Sequence, residues 1–188
     1  MLMGFRSEQS LPNSAPVVVI GGGVVGVTAT LFLAKLGVPA VLFEKGRIAG
    51  EQSSRNWGWI RKQGRDVTEL PLMIDSERLW REIAHEVDED IGYRAGGVTY
   101  LAQTDAELAI QEAWMAHAAA FSLDSRMFSA VEAGALLGIN APQTQIKGAL
   151  HTPSDAYAEP TLAVPAMARL ARRYGAQIFE GVAVRGLH

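Results

Sequence analysis

Val17-Val18-Val19-Ile20-Gly21-Gly22-Gly23-Val24-Val25-Gly26 sets four β-branched residues directly before a glycine cluster, and an apolar, alanine-containing segment follows. The run reads as a buried strand over 17–20, a tight turn, and a helix from Val24 to about Leu36 that Gly37 stops. Gly21, Gly23 and Gly26 match the G-x-G-x-x-G spacing, and each has a mechanical task. Gly21 lets the chain turn sharply off the strand. Gly23, without a Cβ, lets a pyrophosphate approach the backbone. Gly26 lets the helix pack close to the strand.

The context on both sides of the glycines supports a ligand. The helix that opens at Val24 and Val25 points its free N–H groups and positive dipole end at the turn, which favours phosphate. A second strand, Ala40-Val41-Leu42-Phe43, ends in Glu44, an acid placed to accept hydrogen bonds from ribose hydroxyls. Strand, turn, helix, strand and acid together indicate a dinucleotide with a free adenosine 2′-OH. A 2′-phosphate would be repelled by Glu44, so NADP is disfavoured.

Composition narrows the function classes. The chain has 188 residues, 48% of them apolar, enough for a core, and suits one domain or part of a larger protein. Its net charge of −3 favours neither nucleic acid nor an anionic membrane. There is no cysteine, hence no disulfide, thiolate nucleophile or cysteine metal site, and a reducing compartment fits. His85, His117, His151 and His188 are scattered at no ligand spacing, so no metal site is assigned. No apolar run approaches the roughly 20 residues that span a bilayer.

The remaining chain changes character. Residues 1–16 read as a flexible leader. Residues 45–66, KGRIAGEQSSRNWGWIRKQGRD, form a long polar segment whose Ser53, Ser54, Asn56 and Gly58 suit close approach to a flat ligand, or else a surface loop with Trp57 and Trp59 plugging the core. Thr68 is read as the cap of a helix over about 69–87, with Leu70, Met73, Ile74, Trp80, Ile83 and Val87 near one face and Glu77 interrupting it. A strand is expected at 97–102. The boxes Thr104-x-x-Glu107 and Ser129-x-x-Glu132 open helices to about Phe121 and Leu137, the first with Ile110, Trp114, Ala118 and Phe121 on its stripe. A strand at 146–151, a turn-rich stretch at 153–160, a helix at 161–174 and strands at 177–180 and 182–187 complete the order.

These residues resemble the D-amino-acid-oxidase-like flavoproteins. The resemblance rests on Gly21 to Gly26, Glu44, Ser53-Ser54-Arg55-Asn56, Asp155 to Pro160 and the stretch from Gly175 to Leu187, and covers about residues 16–188. The run EKGRIAGEQSSRNWGWIRKQGRD followed by ELPLM is most similar to bacterial L-amino-acid deaminases. The resemblance implies an α/β fold in which a Rossmann-type FAD-binding βαβ domain (17–90 and 153–188) is interleaved with the start of an α+β substrate domain (91–152), incomplete at the C-terminus. It implies a protein about twice this length, so the sequence is read as an N-terminal fragment. The absent half would supply the second flavin-binding stretch and the arginine that usually clamps the substrate carboxylate.

By resemblance, Gly21, Gly23, Val24, Val25 and Gly26 would hold the FAD pyrophosphate, Glu44 the ribose, and Lys45 would lie beside the adenosine. Ser53, Ser54, Asn56, Trp57 and Gly58 would line the flavin or its ribityl chain, and backbone at Val184 on the last strand would pair with adenine. Gln63 would sit on the substrate side with Arg61 and Arg65 nearby, Arg65 being read as a surface residue. Ala156 after Asp155 and Glu159 before Pro160 depart from the family's Asp-Gly-x-x-Asp-Pro stretch.

The implied reaction oxidises an amino acid to an imino acid and then, by hydrolysis, a 2-oxo acid and ammonia. No residue is an evident general base. With no cysteine and no histidine in the flavin-facing segment, non-covalent FAD is expected. The acceptor is oxygen or a membrane quinone, and the location is cytoplasmic or peripheral to the inner membrane. Alternatives are another amine oxidase of the family (glycine or sarcosine oxidase, D-amino-acid dehydrogenase), or a nucleotide-binding module without catalysis. An NAD-dependent dehydrogenase is disfavoured, because the chain leaves the βαβ pattern after its second strand.

Overall fold

The computed structural model describes residues 10–139 and 145–186. Of the leader expected at 1–16, residues 1–9 lie outside the described residues, as do residues 187–188, and residues 10–16 carry no regular element. The elements are β1 (Val17–Ile20), α1 (Val24–Lys35), β2 (Ala40–Glu44), β3 (Trp59–Ile60), α2 (Leu70–Glu86), β4 (Val98–Ala102), α3 (Asp105–Ala120), β5 (Arg126–Ser129), α4 (Ala130–Leu137), β6 (Gly148–Thr152), β7 (Ala156–Tyr157), α5 (Pro160–Arg173) and β8 (Gln177–Glu180). They form two compact units, Met1–Gly58 with Glu82–Gly92 and Ala158–His188, and Trp59–Arg81 with Tyr93–Tyr157. The segment 59–81, grouped with the nucleotide unit on sequence, belongs to the second compact unit.

The first unit is built on a parallel sheet ordered β1-β2-β8. Parallel strands are buried by crossover helices, which explains why Val41 and Leu42 are enclosed and the β2 sequence is continuously apolar until Glu44. Helices α1 and α5 pack on each other. Ala163, Ala166, Ala168 and Ala171 are buried along α5, and small side chains let helix axes approach closely. Phe43 and Phe179, paired in register, hold their rings 5.5 Å apart. Glu159 caps α5 by accepting from Thr161 N, and Pro160 takes the first-turn position that needs no N–H.

The second unit is built on an antiparallel sheet ordered β4-β6-β5, with the central strand β6 buried throughout. Both capping boxes form as read, at Thr104/Glu107 and Ser129/Glu132. A two-stranded pair, β3 with β7, aligns Trp59 with Tyr157 and Ile60 with Ala156. No helix among the described residues is long and apolar enough to cross a membrane.

Three local readings change. Asp66, not Thr68, caps the turn into α2: its carboxylate accepts from Thr68 N at 2.9 Å, and a 3-10 turn over Val67–Glu69 precedes the helix. The buried side of α3 runs through Gln111 and Ala118, while Ile110 is 71% exposed. Residues 182–186 form no strand, so Val184 lies on irregular, exposed chain; Leu187 lies outside the described residues.

Candidate functional site

The first unit gathers most of the residues singled out for the cofactor. Gly21 leaves β1 with φ +106°, a conformation in which a Cβ would clash with its own backbone. Gly26 faces the Gly21 carbonyl oxygen so closely that any side chain there would overlap it. Helix α1 is thereby seated against the turn, with its N-terminal end beside it.

The turn is braced from two directions. Gly22 N donates to Glu44 Oε2 at 2.7 Å, and Gly46 N donates to Oε1 at 2.6 Å. Each carboxylate oxygen of Glu44 keeps further acceptor capacity, since an ionised carboxylate has about four lone-pair sites. Val24 N donates to Ser53 Oγ at 2.8 Å, which fixes the 3-10 turn Gln52–Ser54 beside the start of α1. Ala49 N donates to Gly22 O at 2.9 Å, and Ala49 itself holds a left-handed φ of 57°. Ile48 N donates to Glu180 Oε1 at the end of β8.

The loop after Ser53 is internally tied. Ser54 Oγ donates to Glu51 O, Asn56 Nδ2 to Ser53 O, and Gly58 N to Asn56 Oδ1 at 2.8 Å. Trp57 is 78% exposed, so it does not plug the core, and Val25 and Lys45 are likewise exposed.

In the second unit Gln63 is fully buried. Its Nε2 donates to Leu150 O at 3.2 Å, and its Oε1 accepts from Thr152 Oγ1 at 2.7 Å. Asp155, also fully buried, accepts from Lys62 N at 2.9 Å and Gln63 N at 3.2 Å, and its Oδ1 lies 3.1 Å from Lys62 Nζ. Glu77 completes the cluster, 3.8 Å from Lys62 Nζ and bonded to Arg81. Sequence reading missed this network. Its one signal was Glu77, an acid inside an apolar helical face.

His151 is held close to neutral. Burial first, and the Arg126 charge second, lower its pKa; its Nδ1 lies 2.8 Å from Thr99 Oγ1, and its ring stacks on Phe128. No cluster of metal-ligating side chains occurs among the described residues.

Residues 16–188 match the family model described as DAO, FAD dependent oxidoreductase. The chain belongs to that family. Among FAD-dependent oxidoreductases it is similar to L-amino acid deaminase from Proteus myxofaciens, solved in complex with anthranilate, at 28% identity and a TM-score of 0.91, covering 99% of this chain and 42% of that one. It is 28% identical to mitochondrial sarcosine dehydrogenase of Mus musculus over 96% of this chain and 20% of that protein. It is also 28% identical to glycine oxidase of Bacillus licheniformis over 87% of this chain and 44% of that protein. The chain therefore spans less than half the length of these relatives.

The residues present fit the family's FAD. The cradle at Gly21–Gly26 leaves no room for a side chain on Gly26, and α1 begins behind it, so the positive end of the helix dipole lies at the turn. Glu44 is fixed by two backbone donors at the end of β2 with acceptor capacity to spare.

Proposed function

We propose that this chain is the nucleotide-binding part of an FAD-dependent oxidoreductase that oxidises an amino acid. The observation that carries the reading is the braced turn: Gly21 and Gly26 shape it, Glu44 and Ser53 lock it from either side, and α1 opens onto it. Its relatives include proteins named for L-amino acids, sarcosine and glycine, which supports an amino-acid or N-methyl-amino-acid donor.

The residues divide the work. Backbone N–H groups at the start of α1, with Gly23 close by, would take the pyrophosphate; Glu44 would take the ribose hydroxyls. Ser53, Ser54, Asn56 and Gly58 form a pre-tied loop suited to hydrogen-bonding a flat ligand, because their mutual bonds leave little to order on binding. Bound FAD supplies the hydride acceptor for conversion of the donor's Cα–N bond to an imine, which water hydrolyses to a 2-oxo acid and ammonia. Gln63 serves as an anchor, because both ends of its amide are engaged inside the second unit. Residues 45–66 hold neither cysteine nor histidine, so this segment offers FAD no covalent attachment, which supports non-covalent binding.

The test is anaerobic titration of the flavin-loaded full-length protein with single amino acids and N-methyl amino acids. Bleaching of the visible flavin band by at least one of them is expected. A protein that holds flavin yet is bleached by dithionite and by no amine would overturn the assignment of donor class.

A further inference from the structure

The spacing of the glycine turn asks for Gly21, Gly23 and Gly26 and leaves the identity of residue 22 open. The structure does not. A Cβ on Gly22 would lie 2.6 Å from Ile48 Cδ1 and 2.9 Å from Glu44 Cβ, too close without a shift of both. The loop after β2, residues 45–50, therefore lies directly on the turn, with Ile48 and Ala49 buried. Both backbone polar groups of Gly22 are taken: its N–H by Glu44, and its carbonyl by Ala49 N at 2.9 Å. A trans peptide sets C=O and N–H on opposite sides, so the Ala49 bond turns the Gly23 N–H away from the loop.

The loop is held from far along the chain. Ala49 makes its bond at a left-handed φ of 57°, which a residue with a side chain keeps only where its surroundings enforce it. Its neighbour supplies the enforcement: Ile48 N donates to Glu180 Oε1 at 2.5 Å, across 132 residues. Glu180 is half-buried at the end of β8, and the parallel register with β2 sets it beside Glu44. Two like charges side by side repel. The pair is tolerated because each carboxylate takes backbone donors, Gly22 N and Gly46 N for Glu44 and Ile48 N for Glu180. Gly181 N to Gly46 O and Val182 N to Glu44 O, both 2.9 Å, tie the chain after β8 to the same loop.

We propose that Glu180 is a positioning residue of the nucleotide site: through Ile48 and Ala49 it fixes the Gly22–Gly23 peptide of the glycine turn. Its carboxylate holds Ile48, the held loop presents Ala49 N to the Gly22 carbonyl, and that bond sets the direction of the Gly23 N–H. A donor fixed before the ligand arrives lowers the ordering cost of binding. This rests on the proposed FAD site, because FAD is the ligand the turn would receive.

The test measures FAD and ADP affinity of the flavin-free full-length protein by calorimetry, and amide hydrogen exchange of the same samples, in wild type and in variants at Glu180. ADP carries the adenosine and pyrophosphate of FAD without the flavin. Glu180→Gln keeps an oxygen at the same reach without the charge. Glu180→Asp keeps the charge but draws the oxygen back by one methylene. Glu180→Met removes both. The Asp and Met variants should bind FAD and ADP roughly tenfold more weakly, and Glu180→Gln should stay within about threefold of wild type. Exchange should quicken over 45–50 and 21–26 in the Asp and Met variants alone. Unchanged circular dichroism marks a folded variant, and if Glu180→Met does not fold, the comparison of Asp with Gln decides. Wild-type FAD affinity in a folded Glu180→Asp, an equal loss in the Gln and Asp variants, or unchanged exchange would overturn the assignment. A wild-type protein that binds neither nucleotide would overturn the FAD reading instead, and exchange would still decide whether Glu180 holds the turn.

Discussion

Replacing Asp155 by alanine removes one buried carboxylate that has three partners. Two backbone donors, Lys62 N at 2.9 Å and Gln63 N at 3.2 Å, lose their acceptor. The Lys62 ammonium, with a side chain 4% exposed, loses its nearer acid and keeps only Glu77 at 3.8 Å. Breaking a buried ion pair by removing one partner costs about 3–5 kcal/mol, and an orphaned buried donor about 1–3 kcal/mol. The terms overlap because one carboxylate serves all three, so their sum overstates the loss. We expect about 5 kcal/mol, a large share of the roughly 5–15 kcal/mol typical of a folded domain. Urea unfolding followed by tryptophan fluorescence is the assay. With a slope of about 2 kcal/mol per molar, the midpoint should fall by about 2.5 M. Asp155→Asn keeps one acceptor oxygen and should lose about half as much. Lys62→Met combined with Asp155→Ala removes the stranded charge and should recover part of the loss. A midpoint for Asp155→Ala within about 0.5 M of wild type would refute the reasoning.

Glu44→Gln replaces the acid at the end of β2 while keeping its length. It should weaken FAD binding by roughly tenfold, one charge-assisted hydrogen bond's worth, as read by equilibrium dialysis. His151 has a lowered pKa through burial, so its neutral form belongs to the folded state. Its contribution is whole above the unfolded value of about 6.5 and is lost as pH falls below it. His151→Gln should flatten the stability profile there, and an unchanged slope in chemical denaturation would count against this. Glu86 is partly buried, which opposes ionisation, yet its bonds to Lys35 and Tyr174 outweigh this and hold its pKa low. That stability is present above about pH 4.5 and lost on acidification. Glu86→Gln should lower the melting temperature at neutral pH and narrow the gap from wild type in acid.

The nucleotide unit was legible because its signals are local. Strand, glycine spacing, helix and acid follow one another within residues 17–44, and each answers a backbone requirement the structure displays at Gly21, Gly26 and Glu44. Capping boxes at Thr104 and Ser129 were legible for the same reason. Other features depend on distant partners. Asp155 lies 93 residues from Lys62, and nothing near either residue announces the other. The pair β3 and β7 is two residues deep, too short for alternation to register. Ile110 misled the phase of α3 because the helix buries Gln111 instead, one position and about 100° around the axis. The alternation at Val182 to Val184 suggested a strand, but no described residue pairs with it as one; Val182 N donates to Glu44 O and the ladder stops. At α2, Asp66 and Thr68 are both cap formers two residues apart, and a 3-10 turn before the helix gave the position to Asp66.

The most direct measurement is the visible absorption spectrum of the full-length protein after incubation with FAD and desalting, followed by acid precipitation. Flavin retained at close to one per chain, then released intact into the acid supernatant, is the result predicted from the braced turn at Gly21–Gly26 and from the non-covalent reading of residues 45–66, which hold neither cysteine nor histidine. A folded protein that retains no flavin would contradict the account at its centre, and flavin that stays with the pellet would contradict non-covalent binding.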